Sequence, residues 1–290
     1  NTPSPTNTPA PTNTPLPGSG ELTVRMVAGQ PVSRNQNIEI ILDASGSMNA
    51  TIGDQRRIDI AHQALNTLLT ELPATTNVAL RAYGHRRSGD CNDIELIAPL
   101  GPLDSSALTA RVNTIFPANL GQTPIGTSLQ QGAEDLKNVS GDVRLVLVSD
   151  GEENCNVDPV QTAGQLRAQN PRLAIDVIGF TVDSATSDRL NAVAQAGGGS
   201  YFDAGNAQQL SAALREAILR SYRVLDANGT EVYRGIVGTS TTLPVGAYSI
   251  EVLGAESLQL QNIAVDGLKP AVVELNDQNG VLNAATPVPQ

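Results

Sequence analysis

Four short aliphatic runs, each followed by a loop and then a segment of helical period, constrain the fold of this chain more than any other feature. They are NIEIILD (37–43), NVALRAYG (77–84), DVRLVLVSD (142–150) and RLAIDVIGF (172–180). Their nearly unbroken apolar character marks strands buried on both faces. In the first helical segment Ile58, Ala61, Leu65, Leu68 and Leu72 recur at intervals of three and four, one apolar stripe that must stop before Pro73. Further helices are expected over 105–115, 125–138, 159–169, 186–196 and 206–220. DIELIAPL (93–100) reads as a short edge strand and GSYFDA (199–204) as the last strand. Strands that alternate with helices need crossover connections. The expected fold is therefore α/β, a doubly wound, mostly parallel sheet with helices on both faces.

With 290 residues, 40% of them hydrophobic, the chain suffices for one medium domain and a small companion. A formal net charge of -11 argues against nucleic acid, whose binding needs Lys and Arg to displace condensed counterions. Aromatic residues make up only 3% with no Trp, so stacking platforms for bases or sugars are scarce. No apolar run approaches the roughly 18 to 20 residues of a membrane helix, and no membrane insertion is expected in this segment. The chain begins with Asn and shows no charged-then-apolar leader, which fits a processed or excised portion with any anchor outside it.

Residues 1–20, NTPSPTNTPAPTNTPLPGSG, repeat Thr-Pro and are expected to form an extended linker; 283–290 drift back to that composition as a second linker. Such stalks are typical of surface-exposed proteins, although a plain disordered tail has the same composition. The folded part divides into three. Residues 21–35 hold a leading strand, ELTVRMVAG, expected to pair with the C-terminal module. Residues 36–221 form the α/β domain. Over 222–282 the period becomes strand-like, with Asn228-Gly229 as a turn between alternating runs, and a small β-sandwich of spacer or platform character is expected.

In open α/β sheets ligands bind beyond the carboxyl ends of the strands, where the strand order reverses. Asp43 ends the first buried strand, and the loop ASGSM (44–48) hangs over that edge. Asp150 ends another strand in the same way, and Thr123, in LGQTPIGTSL, lies just before an expected helix. Ser45 and Ser47 alternate around Gly46, so an extended loop aims both hydroxyls one way while the glycine lets the backbone come close. Two carboxylates and three hydroxyls form an oxygen-only donor set. This suits a hard divalent cation such as Mg²⁺, which takes six oxygens at about 2.0 to 2.1 Å and keeps some waters. His and Cys are absent from the set, which disfavours zinc. The plainer alternative has Asp43 capping a helix and the serines making a turn.

D-x-S-x-S after the first strand, a lone Thr in the middle third and Asp-Gly after a later strand resemble the von Willebrand factor A (vWA) domain of the bacterial secreted type, over roughly 36–221. The resemblance implies a metal-ion-dependent adhesion site at Asp43, Ser45, Ser47, Thr123 and Asp150. In that family the hydroxyls bind Mg²⁺ (or Mn²⁺ or Ca²⁺) directly and the aspartates act largely through water. The cation is left under-neutralised, and a carboxylate of a protein ligand completes its shell; Glu152, Glu153 and Asp158 would repel such a ligand elsewhere. The implied function is a metal-dependent adhesion or protein-binding module of a bacterial cell-surface or secreted protein. An intracellular assembly factor of the chelatase or ATPase-partner type is the alternative. A Mg-dependent hydrolase is less favoured, because position 45 is not the second Asp of the phosphatase arrangement and no G-x-S-x-G elbow or positioned base accompanies the serine. No enzymatic activity is expected.

Cys91 and Cys155 each follow a strand end at the same rim, and secreted members of the family look similar around YGHR, GDC and DG-x-E-x-C. The resemblance thus implies a Cys91–Cys155 disulfide, the alternative being two reduced thiols in a cytosolic protein. His85 reads as a solvent-facing loop histidine or a neighbour of the metal shell, and His62 as structural. Arg86 and Arg87 would either catch an acidic partner or offset local carboxylates.

Overall fold

The structure, a computed structural model, describes residues 18–28, 37–141, 143–253, 258–278 and 281–285. The expected Thr/Pro linker over 1–20 lies outside the described residues up to position 17, as does the C-terminal tail beyond 285. The chain forms two compact units. One is residues 31–221; the other joins the N-terminal strand to the residues from 222 onward. No helix among the described residues is long and apolar enough to cross a membrane.

After β1 (Ser19–Met26), which belongs to the second unit, the α/β unit begins with β2 (Asn37–Asp43). A tight turn over Gly46–Asn49 and a two-stranded ribbon, β3 (Thr51–Ile52) and β4 (Gln55–Arg56), lead into α1 (Arg57–Glu71). There follow β5 (Asn77–Tyr83), β6 (Ile94–Pro102), α2 (Ser105–Val112), α3 (Ile125–Leu136), β7 (Val143–Ser149) and α4 (Pro159–Gln169). The unit ends with β8 (Leu173–Phe180), α5 (Ser184–Ala196), β9 (Gly198–Ala204) and α6 (Ala207–Ile218). The sheet runs β6-β5-β2-β7-β8-β9, and only the edge strand β6 is antiparallel to its neighbour. The doubly wound α/β architecture read from the alternation is the one observed.

Helix ends follow local chemistry. Asp158 accepts from Val160 N and Gln161 N ahead of Pro159, which needs no donor at the first helical position. Asp183 caps α5 through Thr186 N, which starts that helix slightly earlier than its apolar period suggests. The stripe on α1 (Ile58, Ala61, Leu65, Leu68) is fully buried. Against the opposite face of the sheet, Ile125, Leu129 and Leu136 of α3, Ala163 of α4 and Leu190, Val193 and Ala194 of α5 form one core with Ile41, Leu145, Leu147, Ile175 and Val177. Covered on both sides, β7 is buried at all seven residues, the reason its sequence shows no polar alternation.

The second unit holds β10 (Ser221–Leu225), β11 (Glu231–Ile236), β12 (Ser240–Pro244), β13 (Gly246–Val252), β14 (Leu258–Val265), β15 (Ala271–Gln278) and β16 (Val281–Ala285). They form two four-stranded sheets, β12-β1-β15-β16 and β11-β10-β13-β14. Strand β16 continues through Ala285, into the stretch expected to be linker. Asn228-Gly229 lies in the β10–β11 turn, where Gly229 has φ +79° and Asp226 accepts from Asn228 N and Thr230 N.

Candidate metal centre

In the sheet order the chain leaves β2 for β5 on one side and later returns to β7 on the other, so the reversal of direction falls at β2. Asp43 pairs in register with Tyr83 of β5, and Leu42 with Val148 of β7. Tyr83, Asp43 and Ser149 therefore stand at one level on three adjacent strands. Their side chains meet: Asp43 Oδ2 accepts from Ser149 Oγ at 2.6 Å and from Tyr83 OH at 2.9 Å, while Asp43 Oδ1 accepts from Ser45 N at 2.8 Å. Asp43 is fully buried. Burial and the Asp43 charge push the Tyr83 hydroxyl well above its ordinary pKa, so it stays a neutral donor.

The serine loop continues the network outward. Ser45 Oγ lies 3.0 Å from Ser47 Oγ, which donates to Asp150 Oδ1 at 2.6 Å. The other Asp150 oxygen accepts from Arg57 Nη1 at 2.8 Å. Asp43, Ser45, Ser47 and Asp150 thus form one connected cluster. Ser45, Asp43 and Asp150 are buried whereas Ser47 is exposed, so the cluster opens to solvent through Ser47.

Thr123 is brought to the same rim by its backbone. Gly46 N donates to Gly121 O at 3.1 Å, Thr123 N donates to Asn154 Oδ1 at 2.8 Å, and Asn154 N donates back to Thr123 O at 3.4 Å. The Thr123 residue is 4% exposed. Two glycines permit the approach of the loops: a Cβ on Gly121 would stand 2.1 Å from Gly84 O, and one on Gly84, where φ is +74°, 2.8 Å from Ser45 Cα. Glu153 ties down the start of α3, accepting from Gly126 N at 2.8 Å and Cys155 N at 2.6 Å.

Charge tests the fit to a cation. Burial, reinforced by the Asp43 charge, raises the Asp150 carboxyl from 3.8 to about 6 against the opposing pull of Ser47 and Arg57. Arg57 supplies one positive charge against two shielded carboxylates, and a divalent ion would supply the rest. The donors present, carboxylate and hydroxyl oxygens, match a hard cation. Among the described residues no group of three or more His, Cys, Asp or Glu is placed to hold a metal ion.

His85 departs from the solvent-facing reading, while Arg86 and Arg87 take the second of the two roles read for them, offsetting local carboxylates. The His85 side chain is 8% exposed, not solvent-facing, with Nε2 2.9 Å from Glu95 Oε2. Arg86 and Arg87 serve local carboxylates: Arg86 Nε donates to Asp93 Oδ1 at 2.9 Å and Arg87 Nη1 lies 2.9 Å from Asp90. The acids that would repel a ligand are engaged as well, Glu152 with Arg189 and Thr186, and Asp158 in its cap. With Ile125, Val157, Val160 and Leu190 they line a cleft of about 370 Å³ beside the centre. Cys91 and Cys155 form a disulfide with Cα atoms 5.6 Å apart, joining the loop before β6 to the loop after β7. Closing 64 residues stabilises by about 4 kcal/mol in the chain-entropy picture. Tyr83, Ser149, Asn154 and Arg57 were not singled out from sequence; strand register is the signal that finds the first two.

A model of the von Willebrand factor type A domain matches residues 37–216. Two uncharacterized Bacillus subtilis (strain 168) proteins are similar in sequence. YwmD is 32% identical over 206 residues, 67% of this chain and 91% of that one. YwmC is 31% identical over 177 residues, 58% of this chain and 76% of that one. Among solved structures, the pilus adhesin SpaC from Lactobacillus rhamnosus GG aligns with a TM-score of 0.53 at 14% identity, over 89% of this chain and 40% of the adhesin. A von Willebrand factor type A protein from Catenulispora acidiphila aligns with a TM-score of 0.51 at 15% identity, over 89% and 75% of the two chains. At such identities the structural likeness is one of fold, and this chain spans less than half of the adhesin. The matched family model and the YwmD relationship, together with the sheet whose first strand ends at Asp43, establish that the chain belongs to the von Willebrand factor type A domain family.

Proposed function

We propose that the α/β unit is a metal-dependent protein-binding or adhesion module that takes one divalent cation, Mg²⁺ foremost, at Asp43, Ser45, Ser47, Thr123 and Asp150. A carboxylate of a protein ligand would complete the ion's shell. The observation that carries this reading is the convergence of Asp43 and Asp150, buried at the ends of adjacent strands and linked through Ser47, on an opening lined by hydroxyls. An ion held there by neutral hydroxyls as well as carboxylates keeps net positive charge toward solvent, which is what an anionic partner group requires. The module is a binder and not an enzyme in this reading, with the Ser47 hydroxyl and the Asp150 carboxylate assigned to the cation.

An extracellular, cell-surface setting accords with the disulfide, since such bonds persist in oxidising compartments. The resemblance of fold to a pilus adhesin points the same way. Calorimetric titration of chelator-stripped protein with Mg²⁺ and Mn²⁺, beside Asp43→Ala and Asp43→Asn variants, tests the site. One saturable ion per chain is expected in the parent and none in either variant. Identical isotherms in all three would end the proposal.

A further inference from the structure

Arg57 breaks a local rule. It is the first residue of α1, where the exposed N–H groups make the helix end positive and a cationic side chain is disfavoured. Its neighbour Arg56 turns outward, pairing with Asp59 at 2.8 Å and lying over the Phe116 ring. Arg57 turns inward: Nη1 stands 2.8 Å from Asp150 Oδ2, its side chain is 22% exposed against 0% for Asp150, and its Nε is buried without a partner. Its backbone N donates to Ala50 O at 2.8 Å, which fixes the stem at the end of the serine loop. No surface ion pair explains this placement.

We propose that Arg57 is a built-in counter-cation that sets how tightly the centre holds its metal, occupying the Asp150 oxygen that Ser47 leaves free, weakening the grip on a bare divalent ion and leaving the loaded centre with surplus positive charge for an anionic ligand. The proposal rests on the metal-centre reading above. Its electrostatics are direct. Asp43 and Asp150 carry two negative charges that a divalent ion cancels, and Arg57 adds one positive charge in a shielded position, where charge–charge interaction far exceeds that of an exposed pair. The same contact explains how two close carboxylates are tolerated before metal enters, because the guanidinium neutralises one of them.

The test is calorimetric titration of the stripped protein with Mg²⁺ for the parent, Arg57→Met, which keeps an apolar stem without charge, and Arg57→Lys, which keeps the charge. Arg57→Met is expected to bind Mg²⁺ about tenfold tighter, Arg57→Lys to stay within about threefold of the parent, and the gap to narrow as sodium chloride is raised. The melting temperature in chelator reports folding, and Mg²⁺ should raise it more in Arg57→Met than in the parent. If Arg57→Met does not fold, Arg57→Gln replaces it in the same titration. Equal or weaker affinity in the charge-free variant overturns the role given to Arg57. Asp43→Ala, run in parallel, separates the two ideas: binding unchanged by Asp43→Ala defeats the metal centre itself, whereas binding lost in Asp43→Ala but not tightened in Arg57→Met defeats only the counter-cation.

Discussion

Both oxygens of Asp43 are already engaged by the protein, one by the Ser45 amide and the other by two hydroxyls, Ser149 and Tyr83. A carboxylate so held cannot rotate away, and an ion bound as proposed would meet a fixed donor. Ser149 is not itself an expected ligand but hydrogen-bonds one, Asp43, and such partners of metal ligands are worth about 10 to 100-fold in affinity. Ser149→Ala should therefore weaken Mg²⁺ binding by about tenfold while costing about 1 to 2 kcal/mol of stability in chelator. Titration calorimetry and urea unfolding measure the two effects, and loss of stability without loss of affinity would reduce Ser149 to a structural part. Asp43, Ser45, Ser47 and Asp150 were legible in the sequence because each interrupts or follows an apolar run that has nowhere to go but into a sheet. Ser149 and Tyr83 were not, because a polar residue closing a strand has no period of its own, and only the pairing of Asp43 with Tyr83 and Leu42 with Val148 brings them together.

Between elements, β2, β5 and α3 are joined by a buried ionic group. Arg81 of β5 donates through Nε to Glu39 of β2 and through Nη1 to Gln131 of α3, both at 2.8 Å, and pairs with Asp135 of α3. Glu39 is fully buried and its Oε2 has no partner. Burial raises its carboxyl from 4.5 to about 7, against the lowering pull of Arg81. The folded state therefore takes up this proton before the unfolded chain does. The charged form costs stability above pH 7, and the cost is relieved as pH falls through 7 toward 4.5. Going from pH 8 to pH 5.5 in chelator, Glu39 alone should add about 2 kcal/mol to unfolding free energy. Asp150, raised to about 6, acts with the same sign, so the comparison must be with Glu39→Gln. That variant should lose the Glu39 increment and show a flatter profile of urea midpoint against pH. An unchanged slope would mean that Glu39 is already neutral, or already charged, throughout. The strand positions of Glu39 and Arg81 are visible in NIEIILD and NVALRAYG as charges inside apolar runs, but the sequence does not say that α3 supplies their third and fourth partners.

At the scale of the molecule, a strand from one end of the chain completes a module at the other. β1 lies inside its sheet, antiparallel to β12 and parallel to β15, and buries Leu22 and Val24 completely. The two-residue period of ELTVRMVAG indicated such a strand, and pairing with the C-terminal module was the expectation. The sequence could not reveal which partners it would take, since a parallel neighbour so distant along the chain leaves no turn signal. Gly20 shows how closely it fits: a Cβ there would lie 1.9 Å from Asp266 O. Without β1, strand β12 loses its neighbour in the sheet and β15 presents an unpaired edge, and the side chains of Leu22 and Val24, worth about 1.5 to 3 kcal/mol apiece, are missing from a small core. A fragment of residues 31–221 should therefore unfold cooperatively by itself, whereas 222–290 alone should show collapsed amide shifts and aggregate. Adding a peptide of residues 18–30 to the second fragment should restore dispersed amide resonances, and Leu22→Ala in that peptide should cost about 2 to 4 kcal/mol of the complex's stability. Well-dispersed spectra from 222–290 without the peptide would show that the module closes unaided, and β1 would then be an addition to the sheet and not its missing interior strand.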